Sequence, residues 1–290
     1  MTETGPAPQV DTVARPEQAS SAADLGLPTA AATALVVGAA LVLAALHGAL
    51  TLLIVIGVVQ AGLALCWVYG TGMPGRIGAL VIAALASGAA DTTVSIWPQG
   101  RLGTLLAVLG LAVPVMFVHQ LARGAARVQL VSSLSAVALL VLSEVSLAAL
   151  LQVRHEFGTD LGGRVAAALA GAAAAALLVG ALVDSTFVGP RFDPAVARGI
   201  LGLVASIGIG AAVAHLLLRD DSAFTEGRGV FLGAAVGALA GLLAVATAFV
   251  QHTTTSGAGR ARLLPPVFAV VLPLCVLSPA GFLLCLAIRA

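Results

Sequence analysis

The stretch VAAALAGAAAAALLVGALVDSTFVGPRFDPAVAR, Val165–Arg198, decides the fold. From Val165 to Val183 it carries no charged residue, and as an α-helix that run is long enough to cross a hydrocarbon core about 30 Å thick. At Asp184 the apolar run ends. Asp184, Ser185, Thr186, Pro190, Arg191, Pro194 and Arg198 then follow one another at a single membrane face. This is the densest cluster of potential chemistry in the chain, and it completes no catalytic motif.

The composition agrees with a membrane setting. The chain of 290 residues is 60% hydrophobic and 9% charged, with a mean hydropathy of +1.08, where soluble domains carry about 25% charged residues. Apolar runs of roughly 20 residues recur along it, which is the pattern of spanning helices. A membrane β-barrel would instead show alternating segments of roughly 10 residues, and none is present. The formal net charge of +1 and the scattered arginines exclude nucleic acid as a partner. All basic residues other than histidine are Arg, a side chain whose planar fork suits phosphate. Cys66, Cys275 and Cys285 lie inside apolar runs without CxxC or Cys/His spacing, so they read as small buried hydrophobes, with no metal site and no disulfide implied.

Residues 1–27 are rich in Pro, Ala, Ser and acids and lack apolar periodicity, which is the signature of a disordered tail. The first apolar run starts near residue 30 without a positive n-region before it, so it reads as an anchor and not as a cleaved signal. Residues 28–290 form the transmembrane domain, an all-α polytopic bundle of about nine helices. The spans are Thr29–Leu46, Gly48–Tyr69, Ile77–Trp97, Leu102–Ala122, Val128–Val153, Val165–Val188, Ala195–Leu218, Val230–Val250 and Leu263–Ile288. The first two are separated only by His47 and Gly48, and form a tight hairpin or one long broken helix, a choice that inverts everything downstream. Pro265, Pro266, Pro273 and Pro279 predict a kink or two half-helices in the last span.

With nine spans, Arg76, Arg123, Arg127, Arg191, Arg198, Arg260 and Arg262 fall on the N-terminal side, and Arg101, Arg154, Arg164, Arg219 and Arg228 on the other. The positive-inside rule then predicts a protein of the cell membrane with a cytoplasmic N-terminus. Gly233, Gly237 and Gly241 form a GxxxGxxxG stripe in the eighth span, and Gly202, Ser206 and Gly210 repeat the spacing in the seventh. These stripes predict a close helix pair, within the chain or across a homo-oligomer.

Ionisable groups inside the bilayer are costly and are functional candidates by default. Asp91 and Glu144 lie at similar depth in spans running the same way, so they can share a polar pocket. Glu144 has Ser143 and Ser146 beside it to hydrogen-bond a carboxyl that would otherwise stay protonated. A small-solute or proton-coupled transporter would use such a group; the plainer alternative is a neutral acid that glues helices together. His119, Asp184 and His252 fall on the N-terminal side with Arg191, Arg198, Arg260 and Arg262. Arginines with an acid and imidazoles suit a phosphorylated headgroup or nucleotide, whereas arginines that only anchor helix ends would snorkel to anionic lipid.

The order of a long apolar N-terminal half, Asp184-Ser185-Thr186-Phe187-Val188-Gly189 at a helix end, a basic Pro-containing loop, two more spans, and a Ser-Gly, Arg and Leu-Leu-Pro loop before a last helix resembles phosphatidate cytidylyltransferases, the CDP-diacylglycerol synthases. The resemblance covers roughly residues 165–288 and is one of topology. In that family an Asp-Thr-x-Ala-Tyr-x-x-Gly segment and a later Lys-, Asp-, Gly- and His-rich signature build a metal-dependent nucleotide and lipid-phosphate site. Here Asp184 stands for the acid and Gly189 for the glycine, Ser185 replaces Thr, and the tyrosine has no counterpart. The segment Ala246–His252 carries no carboxylate and the closing His-Gly-Gly pattern is missing from Ser256–Pro266. A two-metal phosphoryl-transfer site needs several carboxylates, so the resemblance implies a non-catalytic relative.

Three functions therefore stand at this stage. The one that asks least of so apolar a sequence is a non-enzymatic integral membrane protein binding lipid or a membrane partner at its basic face. The others are a degenerate lipid-phosphate nucleotidyltransferase relative and a transporter working through Glu144 and Asp91. No residue is assigned a catalytic role, and no cofactor is named by the sequence.

Overall fold

The structure, a computed structural model, describes residues 16–73, 75–122, 130–187, 189–193, 196, 198–224, 226–254 and 264–289, with the main chain alone for 16–26, 226, 251–254 and 264–266. Its helices are α1 (Pro16–His47), α2 (Ala49–Thr71), α3 (Arg76–Ile96), α4 (Leu102–Ala122), α5 (Leu130–Leu147), α6 (Ala149–Glu156), α7 (Thr159–Thr186), α8 (Ile200–Leu218), α9 (Glu226–Thr254) and α10 (Leu264–Arg289). Among the described residues nine segments are long and apolar enough to cross a membrane, α5 and α6 together making one of them. The fold is an all-α polytopic membrane bundle. Of the tail expected to be disordered, residues 1–15 lie outside the described residues.

The bundle is built from two groups. Helix α7 packs against α1, α8 and α9, and α8 against α9; α2 to α5 form a second group, and α10 contacts both. The alanine run of α7 explains why it sits centrally. Side chains this small let neighbouring backbones close in from several sides, and α7 is the most enclosed of the spans while α4 is among the most exposed. At Gly38 of α1 an added Cβ would fall on the Ala174 methyl group of α7, so that pair is already at backbone-limited distance. Helices α8 and α9 meet through the two small-residue stripes: an added Cβ at Gly233 would strike the Gly210 carbonyl oxygen, and one at Gly237 the Ser206 carbonyl oxygen.

The contacts at one end of the bundle resolve the hairpin question. Arg154, at the end of α6, donates to the Ala45 carbonyl near the end of α1. Arg101, just after α3, is held by Glu156 through two bonds of 3.1 and 2.9 Å, and Gln152 Nε2 donates to the Pro98 carbonyl at 2.6 Å. The ends of α1 and α3 therefore lie on the same face, which requires α2 to cross back between them as a span of its own. Arg289, at the end of α10, stands over the Phe157 ring at 5.2 Å, so α10 ends on that face too.

Two local expectations change. α10 runs unbroken through Pro273 and Pro279 and is not divided into half-helices. Each proline removes a single N–H from the helical ladder, and surrounding helices hold the rest in register. The interruption lies instead in the fifth span at Ala148, where Leu151 N–H reaches back only three residues to the Ala148 carbonyl at 3.0 Å. The seventh span starts at Ile200 rather than Ala195, because residues before it form a small hairpin with an isolated antiparallel bridge between Arg191 and Gly199.

Candidate functional site

Two polar constellations sit among the spans. The first closes the junction of α7 and α8. Asp184 Oδ1 accepts from the Gly199 N–H at 3.1 Å, and Gly199 is the N-cap of α8, so the carboxylate takes up one of the amides a helix start leaves without a partner. Its other oxygen faces Arg198 Nη1 at 3.6 Å. Arg198 is only 4% exposed; burial pulls its guanidinium below the usual value, and the Asp184 carboxylate beside it offsets part of that fall. A Cβ at Gly202 would overlap the carboxyl group itself, which is why the first turn of α8 can lie directly over Asp184. The hairpin is tied across by Phe192 N–H to the Arg198 carbonyl (3.3 Å) and Ile200 N–H to the Pro190 carbonyl (3.1 Å). Asp184 thus serves as a helix-start acceptor and ion-pair partner, while Arg191 on the same hairpin is exposed.

The second constellation lies within the membrane-spanning part. Gln60 is the middle residue of α2 and is 2% exposed. Its Nε2 donates to Asp91 Oδ1 of α3 at 3.3 Å and to the Glu144 main-chain carbonyl of α5 at 3.0 Å. One amide nitrogen therefore ties three helices together. Asp91 is 9% exposed and Glu144 is fully buried. Gln60 thus brings the Asp91 carboxyl beside the main chain of Glu144, yet neither oxygen of the Glu144 carboxyl has a hydrogen-bond partner among the described residues. Neither Ser143 nor Ser146, the two serines expected to support it, bonds the carboxyl; Ser143 Oγ donates instead to the Leu139 carbonyl of its own helix at 2.7 Å. Such back-bonding loosens and bends helices, and α5 is interrupted at Ala148, one turn beyond Glu144.

The remaining sequence candidates are more scattered. The His119 ring lies against Gly78 of α3, and the main packing partners of its helix α4 are α3 and α5, not α7 or α8. Asp184 and Arg198 are brought together, with Arg191 on the hairpin above them. Arg260 and Arg262 lie outside the described residues, as does the His252 side chain. Among the described residues no three His, Cys, Asp or Glu side chains converge in a way that could hold a metal ion. Gln60 was not singled out from the sequence, although an amide at the centre of an apolar span is the kind of signal that marks an intramembrane polar site. Comparison with family models, with curated proteins and with solved structures finds no match for this chain.

Proposed function

We propose that this multi-pass membrane protein is a non-enzymatic component of the cell membrane that holds anionic lipid headgroups at the face from which α1 enters. The observation that carries this is the distribution of charge once the crossings are assigned to sides. Leaving the N-terminal tail aside, the order of crossings assigns to that face Arg76, Arg191 and Arg198, together with Arg123, Arg127, Arg260 and Arg262 of connections outside the described residues, against two acids, Asp184 and Asp193. The other receives Arg101, Arg154, Arg164, Arg219, Arg228 and Arg289 against Glu156, Asp160, Asp220, Asp221 and Glu226. The formal balances are +5 (seven minus two) and +1 (six minus five). On the nearly neutral face, Arg101 and Arg164 are each held at 2.9 Å by Glu156 and Asp221, and Arg219 lies 3.7 Å from Asp220. On the basic face, Arg76 and Arg191 have no carboxylate partner among the described residues. Arg76 stands over the Tyr69 ring at 6.0 Å beside an open cleft lined by Gly72, Met73 and Gly78.

A cytoplasmic leaflet attracts such a surface by about 1 kcal/mol per arginine, and the same bias sets the orientation with the N-terminus inside. The use of Asp184 by Arg198 and the α8 amide supports a non-enzymatic reading over that of a nucleotidyltransferase relative. The test is lipid retention by purified protein in nanodiscs of graded phosphatidic acid content. Retention is expected to rise with anionic lipid, fall with salt, and weaken severalfold in the double variant Arg76→Gln, Arg191→Gln, while Arg101→Gln, Arg219→Gln leaves it unchanged. Equal weakening in both double variants would overturn the proposal. Binding of a nucleotide that requires magnesium and is lost in Asp184→Asn would favour the nucleotidyltransferase relative instead.

A further inference from the structure

No packing contact accounts for the Glu144 carboxyl. An acid that merely glues helices spends its oxygens on neighbouring donors, because a buried polar group without a partner is costly. Here the nearest amide, Gln60 Nε2, bonds the Glu144 main-chain carbonyl and Asp91 and leaves the Glu144 side chain open. Ser143, the adjacent hydroxyl, is turned to Leu139.

The surroundings say what the open carboxyl can take. The elements packed on α5 are α2, α3, α4, α6 and α10. Facing Glu144 from them are Gln60 on α2, Asp91 on α3 and the Cys275 thiol on α10, which lies within its electrostatic reach. The one titratable side chain of α4, His119, is at Gly78 near the start of α3, a different level of the bundle. Arg154 and Glu156 of α6 are committed to Ala45 and Arg101 at the membrane face, and His155 stands between them in sequence. No cation therefore pairs with Asp91 or Glu144 among the described residues. Two ionised carboxyls side by side without a cation, in an apolar interior, are not a tolerable state. One neutral acid beside one carboxylate is.

We propose that Asp91 and Glu144 form an intramembrane proton-exchange site, with Gln60 as the residue that positions them. In the loaded state the pair holds one proton, carried by one of the two carboxyl groups. Unloading takes place only with water in the site: the carboxyl O–H bond breaks, the proton passes to a water molecule as hydronium, and the second carboxylate so formed is solvated by the water that has entered; loading is the reverse. The tightened turn at Ala148, where the Ala148 carbonyl accepts from both Leu151 and Gln152 while the main chain stays in the α region, lies one turn from the site and is the element whose rearrangement would admit that water. The site stands apart from the lipid-binding face, and neither proposal depends on the other.

Infrared spectroscopy on the purified full chain in nanodiscs tests this directly, because a protonated carboxyl has its own C=O stretch, recognised by its shift in heavy water. The unaltered protein is expected to show such a band at neutral pH that disappears reversibly as pH is raised while the protein stays folded. Glu144→Gln is expected to remove the band, and Asp91→Asn to keep a band but displace its pH profile. If Glu144→Gln does not fold, Glu144→Asp, which keeps the carboxyl, is expected to move the band instead. No band at neutral pH, a band that does not respond to pH, a band unmoved by both Glu144 variants, or a band lost on adding sodium or potassium at constant pH would each overturn the proposal, the last in favour of a metal cation.

Discussion

Gly237→Leu is expected to lower the melting temperature of the purified protein by roughly 6–12 °C, the fall that about 3 kcal/mol produces in a chain of this size. The estimate stands at the upper end for overpacking because the atoms in the way are main chain. A Cβ added at Gly237 falls on the Ser206 carbonyl oxygen and lies 3.1 Å from its carbon and 3.2 Å from Ile207 Cα. No side chain can swing aside to relieve that contact, so α8 and α9 must separate. Separation also opens the contacts at Gly210 and Gly233, where a Cβ at Gly210 would already stand 3.0 Å from Gly237 Cα. Leu239→Ala is the control. Leu239 is on the outward side of α9 and 37% exposed, and its truncation is expected to cost about 0.5 kcal/mol or less. Thermal unfolding in detergent compares the two, and equal stabilities would contradict the packing described for α8 and α9.

The second large effect is expected at Arg198. Its side chain and that of Asp184 are 5% and 6% exposed, so Arg198→Met leaves a carboxylate in place with main-chain amides, Gly199 and Gly202, as its donors and no cation beside it. Removing one member of a buried ion pair costs about 3–5 kcal/mol, because the other is left uncompensated. The double variant Asp184→Asn, Arg198→Met is expected to recover most of that loss. Its amide oxygen can still accept from Gly199 while carrying no charge. If the double variant were as unstable as Arg198→Met alone, the damage would come from lost packing of the arginine stem and not from the stranded charge. The hairpin between α7 and α8 would then owe nothing to the ion pair.

Much of this architecture was legible before the structure, for a simple reason. A helix that must hide its main chain from lipid needs an unbroken apolar run of fixed length, so Leu102–Ala122 could be read to the residue. What could not be read is how groups from different spans meet. The interruption at Ala148 has neither glycine nor proline to announce it, since Leu147-Ala148-Ala149 looks like ordinary helix. Asp184 looked available for a ligand because its partners, Arg198 and the Gly199 amide, are supplied by the next connection folding back over it. Asp91 and Glu144 could be placed at one depth by counting, but Gln60, the group that joins them, comes from a third helix. Which helix ends share a face was open for the same reason. It turned on whether His47-Gly48 is a hairpin, and the contact of Arg154 with the Ala45 carbonyl answers that from another part of the chain.

Nine crossings, with the arginine-rich face on the cytoplasmic side as proposed, put the end of α10 on the opposite side of the membrane. Arg191→Cys, Arg219→Cys and Arg289→Cys place a thiol on the α7–α8 hairpin, the α8–α9 turn and the last turn of α10, with the unaltered chain controlling for Cys66, Cys275 and Cys285. Treated in intact cells with a membrane-impermeant maleimide, the Arg219→Cys and Arg289→Cys proteins are expected to label at once, and the Arg191→Cys protein only after the membrane is permeabilised. Labelling of Arg191→Cys and Arg289→Cys from the same side would contradict that placement.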